Sequence, residues 1–158
     1  TALRDDEVNV HLPQWIFYSR ADDIIDLAAF ARLTEVSIWK AIEAAGVPYV
    51  DWTVRKEYEG DQLLLHLYLE PKAPSADAAQ VRDSIDKALC ELYPDYANLH
   101  SMLGLYPLRV TLLTPGTFRR YTQARMAEGV DLAQLKPAHV NVSGAVLYKL
   151  LAASQAGT

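Results

Sequence analysis

Lys136 is the residue of this chain best suited to chemistry. It sits in Gln134-Leu135-Lys136, in a segment read as a loop between Gly129 and Pro137. An ammonium on a flexible four-carbon stem is a compact point charge and donor, able to meet negative charge as it develops on oxygen. Near the other end, Ser19-Arg20-Ala21-Asp22-Asp23-Ile24-Ile25 sets two adjacent carboxylates after an arginine. By composition alone that is an ordinary surface turn. Arg119, Arg120 and Arg125 make one segment basic, fitting either a solvated face or a phosphate-bearing partner. His11, His66, His100 and His139 show no spacing of a metal motif, so structural or solvated roles are expected and no metal ligand is assigned. A single cysteine, Cys90, forms neither an internal disulfide nor a metal site alone. No glycine-rich phosphate loop and no Ser/His/Asp arrangement stands out.

The elements that must position these residues follow from periodicity. Trp15 to Tyr18 reads as a short strand, broken by Ser19 to Asp23, with a returning hairpin over Ile24 to Arg32. Thr34 is a helix N-cap with Glu35 in the first turn, and Ile38, Ala41, Ile42 and Ala45 recur at helical spacing, giving a helix over 34–45 closed by Gly46 and Pro48. Val50, Trp52 and Val54 alternate with polar residues. After Glu59-Gly60-Asp61, the residues Leu63, Leu65, Leu67 and Leu69 share one face. This predicts a hairpin of strands 49–58 and 62–70. Ala78, Val81, Ile85, Ala88, Leu89 and Leu92 form the apolar stripe of a helix over 76–92, with Cys90 off the stripe. Residues 93–106, with Pro94, Asp95, Asn98 and Gly104, read as an irregular, partly packed loop. Leu108, Val110 and Leu112 alternate as a strand. Pro115-Gly116-Thr117 opens a helix that ends at Gly129, and 143–153 forms a short terminal helix. The order predicts an α+β fold: a small sandwich with a mixed sheet, helices mainly on one face, preceded by a β-hairpin. Trp15, Trp39 and Trp52 are assigned to core or domain-interface packing.

Composition narrows the function classes. The 158 residues form one domain with a real core, and 51% hydrophobic against 22% charged residues is ordinary for a globular protein. A net charge of −5 argues against nucleic-acid binding. No apolar stretch approaches the roughly 20 residues of a membrane helix. With one cysteine and no basic-then-apolar start, the expected location is cytoplasmic.

The hinge segment resembles that of acyl-adenylate-forming enzymes, which carry Gly-Arg-x-Asp-Asp, an apolar strand and a Gly-Phe-x-Arg turn. Arg20, Asp22, Asp23, Ile24, Ile25, Phe30 and Arg32 match, while Ser19 and Ala29 stand where glycine is usual. From about residue 15 to 140 the chain resembles more specifically the Gretchen-Hagen-type, auxin-responsive acyl acid amido synthetases. The resemblance rests on VPYVDWTVRKEYEG, the leucine-rich strand ending in Glu70, Pro107, Gly116-Thr117-Phe118, Gly129 and Gln134-Leu135-Lys136. The plant pattern continues Lys-x-Pro-Arg; here Lys136-Pro137-Ala138-His139 follows.

The resemblance implies a linker over 1–12 from a missing N-terminal adenylation domain, then a C-terminal mobile domain over 13–158. It implies a cap domain that helps adenylate a carboxylic acid with ATP and then pass the acyl group to an amino acid amine. Lys136 is then the catalytic cation, Gln134 and Lys136 contact the nucleotide, and Asp22 is the hinge. ATP and Mg2+ are held mainly by the N-terminal domain, which is also the partner. An acyl–coenzyme A ligase domain, or a stand-alone small-molecule-binding regulatory module, are the alternatives.

Overall fold

Thr34 ends one element and starts the next. The computed structural model describes residues 23–158, and within them the chain opens with β1 (Ile24–Leu27) and β2 (Ala31–Thr34), an antiparallel hairpin in which Ile24 faces Thr34. The Thr34 hydroxyl then accepts the Ser37 N–H at 3.2 Å and caps α1 (Glu35–Ala44). The hairpin turn is strained. Ala28 and Ala29 have φ of 56° and 55°, a region that favours glycine, and the Asp26 carboxylate steadies the turn by accepting the Ala29 N–H at 2.7 Å.

β3 (Tyr49–Glu59) and β4 (Gln62–Pro71) form a long antiparallel hairpin turning at Gly60, with Trp52 opposite Leu69 and Val54 opposite Leu67. β5 (Leu108–Leu112) joins parallel to β4, so the sheet is mixed, in the order β3-β4-β5. This is the expected α+β architecture with its preceding hairpin. α2 (Ala78–Leu92) is capped by Asp77. With α1 it covers the face carrying Trp52, Val54, Leu65, Leu67 and Leu69, and these residues make the main core.

Residues 93–106, read from sequence as irregular, instead contain α3 (Pro94–Leu103). The turn residues behind that reading are the helix's own punctuation. Pro94 lies in the first turn, where its missing N–H costs nothing, and Gly104 closes the helix at φ 62°. Tyr96 and Leu99 are fully buried beneath it. α4 (Thr117–Ala127) and α5 (Gly144–Gln155) pack together over the other face of the sheet, forming a second core with Tyr68 and Leu113. No helix among the described residues is long and apolar enough to cross a membrane.

Candidate functional site

Glu70 sets the position of the helix that builds one wall of the site. It ends the leucine-rich strand, is 2% exposed, and accepts the Gly116 N–H at 2.5 Å and the Phe118 N–H at 2.9 Å. A carboxylate at a helix start meets both free N–H groups and the positive end of the dipole, which offsets its burial. Gly116 has φ 80°, and a side chain there would also press on the Arg120 guanidinium at 2.9 Å. Thr117 is buried, its hydroxyl donating to the Thr114 carbonyl at 2.6 Å, and Phe118 enters the second core. Helical geometry then turns Arg119, Thr122 and Gln123 toward one side.

Lys136 comes from the opposite wall. A 3-10 turn over Leu132–Gln134 leads into Leu135, which is buried and leaves Gln134 and Lys136 exposed on either side. The following segment is fastened along β3. Thr53 Oγ1 donates to the Ala138 carbonyl at 2.7 Å, the Val54 N–H to His139 O at 2.7 Å, and the Asn141 N–H to Val54 O at 2.9 Å. His139 secures the same segment sideways. Its Nδ1 meets Glu35 Oε1 at 2.5 Å, its Nε2 meets Asp51 Oδ1 at 2.8 Å, and its ring stacks on Trp52 with centroids 4.5 Å apart.

With a carboxylate on each nitrogen, the imidazolium donates twice. The hydrogen bond to Asp51 raises the His139 pKa most, burial opposes it, and Glu35 adds to the rise. Burial alone would lift the Asp51 carboxyl. The hydrogen bonds from His139 and the Trp52 N–H, with the charges of His139 and Lys136, overcome that and hold it below its usual range.

The two walls enclose a cleft of about 300 Å³ lined by Val50, Asp51, Phe118, Arg119, Thr122, Gln123 and Lys136. Among the described residues, neither Lys136 nor Arg119 takes part in an ion pair. Asp51 is committed to His139. The cleft therefore offers two cations without an ion-pair partner, Lys136 within reach of the Asp51 charge, together with a hydroxyl and an amide, a set suited to clustered anionic oxygens.

The profile of the GH3 family C-terminal domain matches residues 35–143. The chain belongs to that family. Among solved structures it is similar to "GH3.15 acyl acid amido synthetase", with TM-score 0.61 and 16% identity over 77% of this chain and 25% of that one. It is also similar to "AtGH3.15 acyl acid amido synthetase in complex with 2,4-DB", with TM-score 0.57 and 17% identity over 82% of this chain and 25% of that one. The chain thus spans about a quarter of the length of these solved chains. No curated protein gives a significant match.

Within this GH3 C-terminal domain, the residues singled out from sequence separate. Lys136 lines the cleft, whereas Gln134 lies outside its lining. Asp22, with Arg20, Trp15, His11 and the linker expected over 1–12, lies outside the described residues. The basic helix also divides. Arg119 reaches the cleft, but Arg120 donates to the Ala153 carbonyl at 2.8 Å and the Pro115 carbonyl at 2.9 Å, tying α4 to α5. Arg125 pairs with Glu128 at 2.8 Å. His66 is held structurally by Glu57 at 2.7 Å and Thr111 at 2.8 Å. Trp52 is a core residue, while Trp39 is 46% exposed. Burial, then the Asp86 and Glu91 charges, push the Cys90 thiol up, which disfavours a reactive thiolate.

Sequence reasoning missed Arg119 as distinct from its neighbours, and it missed the Glu35–His139–Asp51 clamp. The helical register from Phe118 was a signal for the first. Nothing local signals the second, whose members lie 88 and 104 positions apart.

Proposed function

We propose that this GH3 C-terminal domain is the mobile cap of an ATP-dependent ligase that adenylates a carboxylic acid and transfers the acyl group to an amino acid amine. The observation that carries the reading is the convergence of Lys136 and Arg119, both without an ion-pair partner among the described residues, on one open cleft. Family membership supplies the class of reaction.

ATP, when bound, supplies the adenylyl group and pyrophosphate as leaving group. Lys136 then stabilises the negative charge that spreads over the phosphoryl oxygens as the substrate carboxylate attacks the α-phosphorus. Arg119 binds a second anionic oxygen and fixes its orientation through a planar pair of donors. Gln134, exposed two residues before Lys136, contacts the nucleotide once the domains close. Asp51, the carboxylate in the cleft, is taken up by His139, so this donor set does not suit Mg2+. Mg2+ is assigned to the N-terminal adenylation domain of the same polypeptide, which also holds the acid and most of the nucleotide. Asp22 is the proposed hinge about which the cap turns between adenylation and amide formation. The proposed setting is the cytoplasm.

The amine acceptor is favoured over coenzyme A because the basic helix is largely spent on internal contacts. Arg120 and Arg125 satisfy acceptors within the domain, leaving Arg119 for a ligand.

The test is acid-dependent ATP–pyrophosphate exchange by the longest protein the gene encodes, across a panel of carboxylic acids. Lys136→Ala should lower exchange by about 100-fold or more while the enzyme still converts a supplied acyl adenylate to amide. Arg119→Ala should raise the KM for ATP and lower exchange by about 10-fold. Undiminished exchange in Lys136→Ala would falsify the role given to that lysine.

A further inference from the structure

The geometry points to a second site, formed by Asp86, Cys90 and His100, that binds a thiophilic divalent cation, zinc by its chemistry. Asp86 and Cys90 are four residues apart on α2 and so share a face. His100 comes from α3, which the turn at Tyr93-Pro94 folds back against α2. One donor atom from each of the three lies within 4.8 Å of the others. Cys90 Sγ is 3.6 Å from His100 Nδ1, and Asp86 Oδ1 is 3.3 Å from His100 Nε2. Tetrahedral bonds of about 2.0–2.3 Å put neighbouring ligand atoms roughly 3.3–3.8 Å apart, so the sulfur–Nδ1 separation is of the size a metal imposes.

The protein alone leaves this cluster incompletely satisfied. His100 Nε2 is shut off from solvent and makes no hydrogen bond of acceptable geometry despite the nearby carboxylate. Nδ1, which faces the sulfur, is the coordinating atom, and a rotation of the Asp86 side chain brings its carboxylate in. Support around the ligands is in place. The Tyr96 hydroxyl donates to Asp86 Oδ1 at 2.7 Å, and the Tyr106 ring packs on His100 with centroids 4.5 Å apart. A cleft of about 280 Å³, bordered by Arg82, Asp83, Tyr106 and Leu108, reaches Asp86 and gives an entry path. Thiolate, imidazole and carboxylate together select a borderline-soft ion such as Zn2+ over Mg2+ or Ca2+, and a solvent molecule completes the fourth position. The bound ion cross-links α2 to α3, so its role is structural and separate from the Lys136 cleft.

The experiment is a titration of chelator-treated protein with Co2+, followed by displacement with Zn2+. One equivalent of Co2+ should give near-ultraviolet thiolate-to-cobalt charge transfer and visible bands of tetrahedral intensity, and Zn2+ should abolish both while raising Tm. Cys90→Ser should remove the charge-transfer band, and Asp86→Asn should weaken Zn2+ binding by ~10-fold or more with its fold retained. Absence of a thiolate–cobalt band in the parent protein overturns the site. So does Zn2+ affinity that is unchanged in both variants.

Discussion

Lys136 owes its position to a neighbour three residues on. The ammonium itself is exposed, and its backbone is fixed because His139 grips Glu35 from α1 and Asp51 from β3 at once. That grip depends on charge, since only the imidazolium donates from both nitrogens. The His139 pKa is raised from 6.5 on folding. The clamp's contribution to stability is therefore full below pH 6.5 and fades as pH climbs through the raised value. The Asp51 pKa is depressed below 3.8, so its contribution is full above 3.8 and is lost as pH falls through the depressed value. Tm measured across pH 5–9 should accordingly decline on the alkaline side, as His139 loses its proton. His139→Ala should lower Tm near neutrality and flatten that decline. An alkaline decline of the same size in His139→Ala would show that the clamp contributes nothing.

The hairpin of β1 and β2 holds its turn against backbone preference. Two consecutive alanines at positive φ cost more than glycines would, and a single Asp26 hydrogen bond offsets only part of that. Ala29→Gly should raise unfolding free energy in urea by about 0.5–1 kcal/mol, with the m-value unchanged. A loss of stability instead would mean that the alanine methyl makes a contact worth more than the strain. The same element explains what was legible. The break at Ser19 to Asp23 and the resemblance to adenylate-forming enzymes announced a hairpin over Ile24 to Arg32, but alanine at the turn hid its left-handed geometry. α3 was hidden for the converse reason, because Pro94 and Gly104 are strong loop signals wherever they fall. Its buried Tyr96 and Leu99 would have argued for a helix, had their three-residue spacing outweighed the punctuation.

At the scale of the whole domain, two cores share one sheet, and Glu70 is the polar joint between them. It ends a strand of the main core and holds the start of α4, which leads the second. Glu70→Gln keeps the size but puts an amide donor against backbone N–H groups. It should destabilise the domain by about 2 kcal/mol in urea unfolding, and it should loosen the cleft wall that carries Arg119. A change below about 0.5 kcal/mol would mean that α4 is held by packing alone.

Apolar periodicity by itself determined the order of most elements, the long hairpin and the α+β class. Those depend on neighbours within a few residues, where the pleat and the helix each impose their own repeat. The ordered motifs, ending at Gln134-Leu135-Lys136, pointed to the family. The tertiary structure decided which of the three arginines of α4 faces the cleft, which carboxylates hold His139, and which acid joins Cys90 and His100. These choices are set by chain crossings, by the parallel run of Val140 beside Val54, and by α3 folding back on α2. Distances across such crossings depend on packing of the intervening core, and no local spacing records them.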